Sequence, residues 1–422
     1  MLGANAPSIG IEGMAILQGL RRFAFGQLTA FPVLGWGGAA LWQRLRAEDR
    51  ILAVQAPRNA DLLVLAGEIP ASWQPQLSTL FETLALPRLV LWLQPPWPCA
   101  PINGLPAGIH VAPEAIARID WAGVIDQLLA PGNPANTPLL EDKPPAPWRG
   151  VGPHGQGGKG MMGGVPYGRP MAMTADDPDG LMLDDVPTYL GPYFPGLPSG
   201  LCLELRVQGD RIRECTAARN LFPTGEMPRM KAPEPARLAA YETERLQMHL
   251  RWMADFLEIA GLSALSARAY RLANQPEHGA IQQLIAQAQW GGLLRRRCQG
   301  LGVITQEEAV HAALPAPAAK ASGVPQDERT GQPAYQTLGF EAQVETQGDT
   351  WARWRLRVRE CQQSLDLIER AADRCLTVES ISPAKAPGTA TLELLRHKLA
   401  GLEWSQAVLF VASLGLDMGA AQ

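Results

Sequence analysis

The sequence predicts an α/β N-terminal domain with a parallel sheet, joined by a Gly/Pro-rich arm to an α+β, mainly helical C-terminal domain. Three observations predict it. Short apolar runs alternate with helical stretches up to residue 132, the pattern of parallel strands with crossover helices. Residues 133–186 are rich in Gly and Pro and mostly lack either period, as a linker or extended arm does. From residue 187 an alternating hairpin gives way to long helical periods. The chain therefore divides into 1–132, 133–186 and 187–422. A loop insertion is placed near 314–334, where APAAKASGVPQDERTGQPA reads as a long surface loop or a disordered insertion.

In the first domain Ile51 to Val54, Leu62 to Ala66 and Leu89 to Leu93 read as buried strands, and Gln74 to Leu86 as a helix between the last two. In the last, the span from Arg237 to Ala260 places Leu246, Leu250, Met253, Leu257 and Ala260 at helical spacing. Glu242, Glu244, Gln247, Arg251, Asp255 and Glu258 are expected on its other faces, and Gly261 is placed to stop it. A second helix, Trp351 to Cys375, repeats Trp351, Trp354, Val358, Cys361, Leu365, Ile368, Ala372 and Cys375 at spacings of three and four. That is an a/d seam, and it demands a long partner helix.

A chain of 422 residues that is 46% hydrophobic can bury at least one substantial core. Its formal charge of −4 and lack of a basic stripe give no reason to expect a nucleic-acid surface, so no nucleic acid is expected. Arg295 to Arg297 is the only basic run and reads as a solvated helix end. No apolar run reaches the roughly 18 residues needed to span a bilayer, Leu89 to Leu93 and Ala407 to Leu416 being the best. The start, Met14 to Leu28, is broken by Arg21 and Arg22 and has no small-residue cleavage site, so a secretory signal is not expected. The six cysteines, Cys99, Cys202, Cys215, Cys298, Cys361 and Cys375, contain no C-x-x-C pair. Neither a disulfide framework nor structural zinc follows, and most read as buried thiols.

Leu190 to Ile212, LGPYFPGLPSGLCLELRVQGDRI, resembles the opening of the large subunit shared by respiratory complex I and the membrane-bound nickel–iron hydrogenases. There a Gly-Pro-x-His-Pro turn leads into two strands closed by a Gly-Asp or Gly-Glu hairpin, and here Gly191-Pro192-Tyr193-Phe194-Pro195 holds the turn. Glu244-Arg245-Leu246 with His249-Leu250 resembles the same family's Glu-Arg-Ile-x-x-His-Leu helix. Gly348-Asp349 and Arg353, running on to Gln363-Ser364, resemble its Gly-Asp-x-x-x-Arg segment and Gln-Ser helix. Upstream, Pro57-Arg58-Asn59-Ala60-Asp61-Leu62-Leu63 and Pro87-Arg88-Leu89-Val90 resemble strand entries of the small, cluster-bearing subunit of these enzymes. The resemblance implies a fused small-subunit-like and large-subunit-like protein, the first domain being of flavodoxin-like small-subunit type.

The resemblance also implies where cofactor ligands would stand. The small subunit carries a Cys-x-Gly-Cys-x-x-Glu loop that gives thiolates to an iron–sulfur cluster, because such iron is bound by soft anionic sulfur. Here the corresponding residues run from Trp36 through Gly37-Gly38-Ala39 to Trp42, so Trp36, Ala39 and Trp42 stand at vestigial ligand positions. Cys99 matches a third ligand, but no cysteine follows near Val111 to Ala115. The large subunit of hydrogenases holds nickel with two C-x-x-C pairs. This chain has a lone Cys215 and a tail from Gly401 without cysteine. Complex I instead lines a quinone pocket with the turn histidine, replaced here by Phe194, while a second histidine of the turn corresponds to Pro198. Phenylalanine can neither donate a proton nor hydrogen-bond a quinone carbonyl. Phe194 therefore reads as an apolar plug, and iron–sulfur, nickel and quinone binding are all expected to be lost.

Other motifs are weaker. Gly155 to Gly160 invites a phosphate-loop reading, but Pro153 stands where its first glycine is needed and Gly160 where Ser or Thr would touch magnesium, so a linker is expected. Asp176, Asp177, Asp179, Asp184 and Asp185 lack the Gly and Glu of a calcium loop and read as a solvated acidic arm. His249 reads as a packed histidine bonded to a neighbouring carboxylate. Met161, Met162, Met171 and Met173, around Tyr167 and Arg169, form a candidate interaction strip.

The expectation is thus a cofactor-poor structural or coupling subunit of a complex I-like or hydrogenase-related assembly. Its partners would be antiporter-like and other polytopic membrane subunits, and its place the cytoplasmic face of the inner membrane, held there through those partners. The alternative is an active oxidoreductase subunit with a modified quinone-like pocket around Phe194.

Overall fold

A computed structural model describes residues 26–98, 101–140, 173–176, 182–223, 236–378 and 386–420. The chain divides into two compact units, Met1–Leu139 and Leu140–Gln422. Gly155 to Gly160, Met161, Met162, Tyr167, Arg169, Met171, Asp177, Asp179 and Cys99 lie outside the described residues.

The first unit is a five-stranded parallel sheet in the order β2-β1-β3-β4-β5. Its strands are β1 Leu28–Leu34, β2 Ile51–Ala53, β3 Leu62–Ala66, β4 Leu89–Leu93 and β5 Ile109–Val111. Strands β3 and β4 are buried along their whole length, which is why they read as continuous apolar runs. Strand β1 carries Pro32, a residue that lacks a ladder donor. Pairing with β2 ends at Ala30, so beyond it β1 is an edge on that side, where a missing N–H costs no ladder bond. The helices are α1 Gly38–Leu45, α2 Gln74–Glu82 and α3 Trp121–Leu128.

Two boundaries differ from the sequence reading. Helix α2 stops at Glu82, and Leu86 is 63% exposed before the cis peptide to Pro87. Residues at the start of the expected arm fold with the first unit: Pro134–Asn136 is a 3₁₀ turn, and buried Arg88 donates to Ala135 O at 2.8 Å while its own N–H donates to Asn136 Oδ1 at 3.0 Å. Arg88 also bonds Phe81 O and Glu82 at 2.9 Å each, so the C-terminus of α2 is satisfied by a side chain from the next strand entry.

The second unit opens with a four-stranded antiparallel sheet, β6 Met173–Asp176, β7 Met182–Leu190, β8 Leu201–Gln208 and β9 Arg211–Asn220, in chain order. Gly209 and Asp210 turn the β8–β9 hairpin as expected. Asp185 departs from the solvated acidic arm. It is 3% exposed, and Arg206 and Arg213 donate to it at 2.8 and 3.0 Å, because β7 carries it under two basic side chains of the hairpin.

The other described residues are mainly helical: α4 Leu238–Ile259, α5 Ser263–Asn274, α6 His278–Gln289, α7 Leu293–Cys298, α8 Gln306–His311, α9 Ala316–Lys320, α10 Pro333–Thr337, α11 Thr350–Ala371, α12 Thr389–Leu399 and α13 Trp404–Leu414. A two-residue ribbon pairs β10 Ala236–Arg237 with β11 Thr377–Val378. Helix α4 ends at Gly261, whose φ of 79° is the left-handed stop the sequence placed there. The long partner that α11 requires is α4. Ser364 bonds Glu242, Glu360 faces His249, and Trp354 packs on Trp252, so residue numbers fall on one helix as they rise on the other and the pair is antiparallel.

The seam is not the one the heptad pattern draws. Helix α11 ends at Ala371, while Ala372 and Cys375 are exposed. Leu356, Arg357, Glu360, Ser364 and Leu367 are buried as well, since neighbours cover more than one face of α11. Glu242, assigned to an outer face of its helix, is fully buried. The segment near 314–334 is neither a surface loop nor disordered. It holds α9, leads into α10, and buries Lys320 and Arg329, and Tyr335 just beyond it joins Leu238, Leu338, Leu367 and Ala371 in one apolar cluster.

Candidate functional site

In the first unit the turn after β1 carries Trp36, Ala39 and Trp42. In a parallel sheet ordered 2-1-3-4-5 the crevice between the ends of β1 and β3 is the topological switch point, where ligands enter. That crevice is closed by backbone. Trp36 N–H donates to Glu68 O at 2.9 Å and Glu68 N–H to Trp36 O at 3.0 Å. A Cβ on Gly35 would lie 2.0 Å from Glu68 O, and one on Gly38 2.2 Å from Ala66 O, so only glycine permits this approach. Trp36 and Trp42 are buried, Ala39 is exposed, and Trp97 lies over Gly37 with its indole N–H on Glu68 at 2.7 Å. These residues do not fit an iron–sulfur cluster: two buried indoles and a methyl group offer it no thiolate.

In the second unit the Gly191-Pro192 peptide is cis and Gly191 sits at φ 94°, where a Cβ would meet Leu201 O at 1.9 Å. The turn closes with Leu197 N–H on Phe194 O at 3.2 Å and Gly200 N–H on Pro192 O at 3.2 Å. Phe194 and Pro198 are both half-buried on this turn, and burial pushes the Tyr193 phenol beside them up to about 12. Phenol and phenyl groups give the turn no base. Of the remaining cysteines, Cys215, Cys298 and Cys361 are buried, and burial raises all three thiols, Cys215 to about 11 and Cys298 to about 12. Cys202 is half-buried and Cys375 exposed.

The densest polar constellation was not singled out from the sequence. It lies between α4, α11 and the 314–334 segment. Asp327 is gripped by Arg329 through two bonds of 2.9 and 2.8 Å and by Lys320 at 2.7 Å. Lys320 also donates to Glu360. Glu242 accepts from Tyr335, from Ser364 at 2.6 Å and from Arg329 at 3.4 Å. Arg245 lies 3.8 Å from Glu242 and 3.9 Å from Glu360. Four basic side chains, Arg245, Lys320, Arg329 and Arg357, thus surround three acidic ones, Glu242, Asp327 and Glu360. Burial alone would raise the Glu360 carboxyl, but the cationic side chains Lys320, Arg245 and Arg357 outweigh it and hold it at about 2. Arg357 is itself lowered to about 10 by burial, so it stays charged at neutral pH.

His249 sits fully buried in this cluster. Its expected carboxylate partner was a neighbour on its own helix; the structure supplies Glu360 from α11, with Nε2 3.5 Å from Oε2. Arg357 Nη1 donates to His249 Nδ1 at 3.1 Å, and since a guanidinium cannot accept, the ring proton is on Nε2 and the imidazole is neutral. Burial is the main cause holding its pKa well below the usual value, Arg357 adding to it and Glu360 opposing. A group depressed in the folded state lends stability that is present above its unfolded pKa and lost as pH falls through the window below it. For histidine that window opens near about 6.5, above the carboxylates at about 4.3. His249→Gln is expected to remove up to about 1.4 kcal/mol per pH unit from the slope of stability between those values. Urea midpoints at stepped pH check this, and an unchanged slope assigns the titration to another group.

The signal for this cluster was present as spacing. Glu242, Arg245 and His249 on α4, and Arg357, Glu360 and Ser364 on α11, recur at three and four residues, which is a polar stripe aligned with the apolar one. Among the described residues no group of three or more His, Cys, Asp or Glu could hold a metal ion, and no helix is long and apolar enough to cross a membrane.

Residues 275–402, which contain most of this cluster, match the family of the 49 kDa subunit of the respiratory-chain NADH dehydrogenase. Within the second unit it is thus residues 275–402 that resemble the complex I 49 kDa large subunit. A NAD(P)H-quinone oxidoreductase subunit from Synechococcus sp. (strain CC9311) is 36% identical to this chain over 110 residues, 26% of this chain and 25% of the relative. A NADH-quinone oxidoreductase subunit from Rhizobium etli is 41% identical over 80 residues, 18% of this chain and 20% of the relative. The matches thus span about a fifth to a quarter of these relatives' length. A chain of the membrane-bound sulfane sulfur reductase, an archaeal respiratory membrane complex, overlaps 56% of this chain and 98% of its own at 16% identity and a TM-score of 0.44, a likeness too slight to carry detail. Lys320, Asp327, Arg329, Arg357 and Glu360 fall inside the matched span, whereas Glu242, Arg245 and His249 precede it.

Proposed function

We propose that this chain is a cofactor-poor structural or coupling subunit of a complex I-like or hydrogenase-related membrane assembly, standing where such assemblies take in electrons. The observation that carries this reading is the switch-point turn of the first unit, where Trp36 and Trp42 are buried at positions that would need thiolates. The strand order 2-1-3-4-5 supports reading that unit as a flavodoxin-like small-subunit relative fused to the large-subunit-like one. Phe194 supports loss of quinone chemistry, since its ring supplies neither proton nor hydrogen bond. Partners in this reading are antiporter-like and other polytopic subunits, which hold the chain peripherally at the cytoplasmic face of the inner membrane. Ion movement belongs to those partners.

Purification from membranes in mild detergent, with metal analysis and electron paramagnetic resonance on the same sample, tests it. Polytopic membrane subunits are expected to co-purify, and the chain is expected to bring no stoichiometric iron or acid-labile sulfide. Iron with sulfide on this chain would sink the cofactor-poor role, and failure to co-purify would sink the assembly.

A further inference from the structure

The corner between α6 and α7 presents side chains that the fold does not use. Trp290 is 86% exposed and Leu293 56% exposed, either side of Gly291 and Gly292, which sit at φ 71° and 69°. A Cβ on either glycine would meet nothing within 4 Å, so the tip stands in open space. Helix α7 then buries Leu294 and Cys298 on one side, which turns Leu293 and Arg296, three residues apart, to the opposite side together. The residues from 278 to 306 include Arg295, Arg296 and Arg297 and no Asp or Glu. Arg297 is committed to Ala260 O at 2.6 Å, and Arg295 bonds only Gln299, at 3.0 Å; no carboxylate pairs with Arg295 or Arg296 among the described residues.

An exposed indole and leucine beside unpaired guanidinium groups fit a headgroup layer that is negatively charged. The aromatic ring sits at headgroup depth, the leucine reaches the acyl boundary, and each arginine near the surface gains from the anionic field. A protein partner would need a pocket shaped to a convex tip, whereas a lipid surface deforms around it. We propose that the Trp290–Arg296 corner is a membrane-contact element that inserts Trp290 and Leu293 into an anionic phospholipid surface, with Arg295 and Arg296 on phosphate. The inference goes beyond the assembly reading and rests on this corner alone, so it stands or falls separately.

Flotation of the purified full chain with vesicles of phosphatidylcholine, alone or mixed with phosphatidylglycerol, tests it. The chain is expected to float with the phosphatidylglycerol vesicles at about 0.05 M salt and to be released at about 0.5 M. The double variant R295Q/R296Q is expected to bind about thirtyfold more weakly, from the loss of two charges near the surface. Trp290→Ala weakens binding at both salt levels, and Arg58→Gln, an exposed arginine of the first unit, leaves it unchanged. All four positions are exposed, so the far-ultraviolet circular dichroism of the variants should match the parent and separate lost binding from lost folding. No flotation with acidic vesicles, or flotation that survives both R295Q/R296Q and Trp290→Ala, overturns the proposal, whatever membrane subunits co-purify with the chain.

Discussion

Glu360→Leu is expected to destabilise the second unit by about 3–5 kcal/mol, the cost of removing one partner from a buried ionic group. Four cations, Arg245, Lys320, Arg329 and Arg357, would then face only Glu242 and Asp327. Lys320 would keep Asp327 at 2.7 Å but lose its other carboxylate, and the Nε2–H of His249 would lose the acceptor it faces at 3.5 Å. Pairing the change with Lys320→Met removes a cation together with the acid, so the double variant should cost less than the two single changes summed. Denaturant unfolding of the three variants at neutral pH measures this coupling. Glu360 is depressed in the folded state to about 2, so its contribution is present above its unfolded pKa of about 4.3 and fades as pH falls toward 2. The gap between parent and Glu360→Leu should narrow over that window. A gap that is constant down to pH 3 would mean that the substituted leucine fails through shape and that charge is not the cause.

The parts legible in the sequence were those with a single period. Leu62–Ala66 and Leu89–Leu93 were bounded to the residue because both faces of each strand are covered and every side chain is apolar. Helix α4 was placed within one residue at each end, since Gly261 ends it by backbone conformation alone. What was missed had competing signals. Strand β1 contains Pro32, which is acceptable only because β2 is too short to pair opposite it, a fact set by a different segment. The 314–334 segment has the composition of a loop, yet Lys320 and Arg329 bury there because carboxylates from α4 and α11 meet them. Charge on one helix says nothing of burial until its partner is known, and Glu242 and Glu360 are far apart in sequence. The burial of the residues expected at ligand positions was not legible either. Trp36 and Trp42 pack into the core, whereas Phe194 is only half-buried.

Trp354→Ala is expected to cost about 3–5 kcal/mol, the range for emptying a buried large aromatic side chain. Trp354 is 1% exposed, with ring centroids of Trp252 and Phe256 at 6.2 and 5.7 Å, so its loss opens a void in the α4–α11 seam that two rigid rings cannot collapse to fill. Arg357 lies 4.8 Å from the Trp252 ring and donates to His249, which ties this aromatic stack to the ionic cluster beside it. Trp354→Phe keeps most of the volume and deletes an indole N–H that has no hydrogen-bond partner, so it should cost under about 1.5 kcal/mol. The seam drawn from heptad spacing gives Trp351, Trp354 and Cys375 equal weight; the observed one does not. Trp351 is half-buried and Cys375 is exposed beyond the helix end. Trp351→Ala is therefore expected to fall well below Trp354→Ala, and Cys375→Ser within about 0.5 kcal/mol of the parent. Thermal and denaturant unfolding of the four variants separates the two seams. Equal losses at residues 351, 354 and 375 would restore the unbroken heptad and extend α11 past Ala371, while the graded series fixes α4 as the partner against which the helix is held.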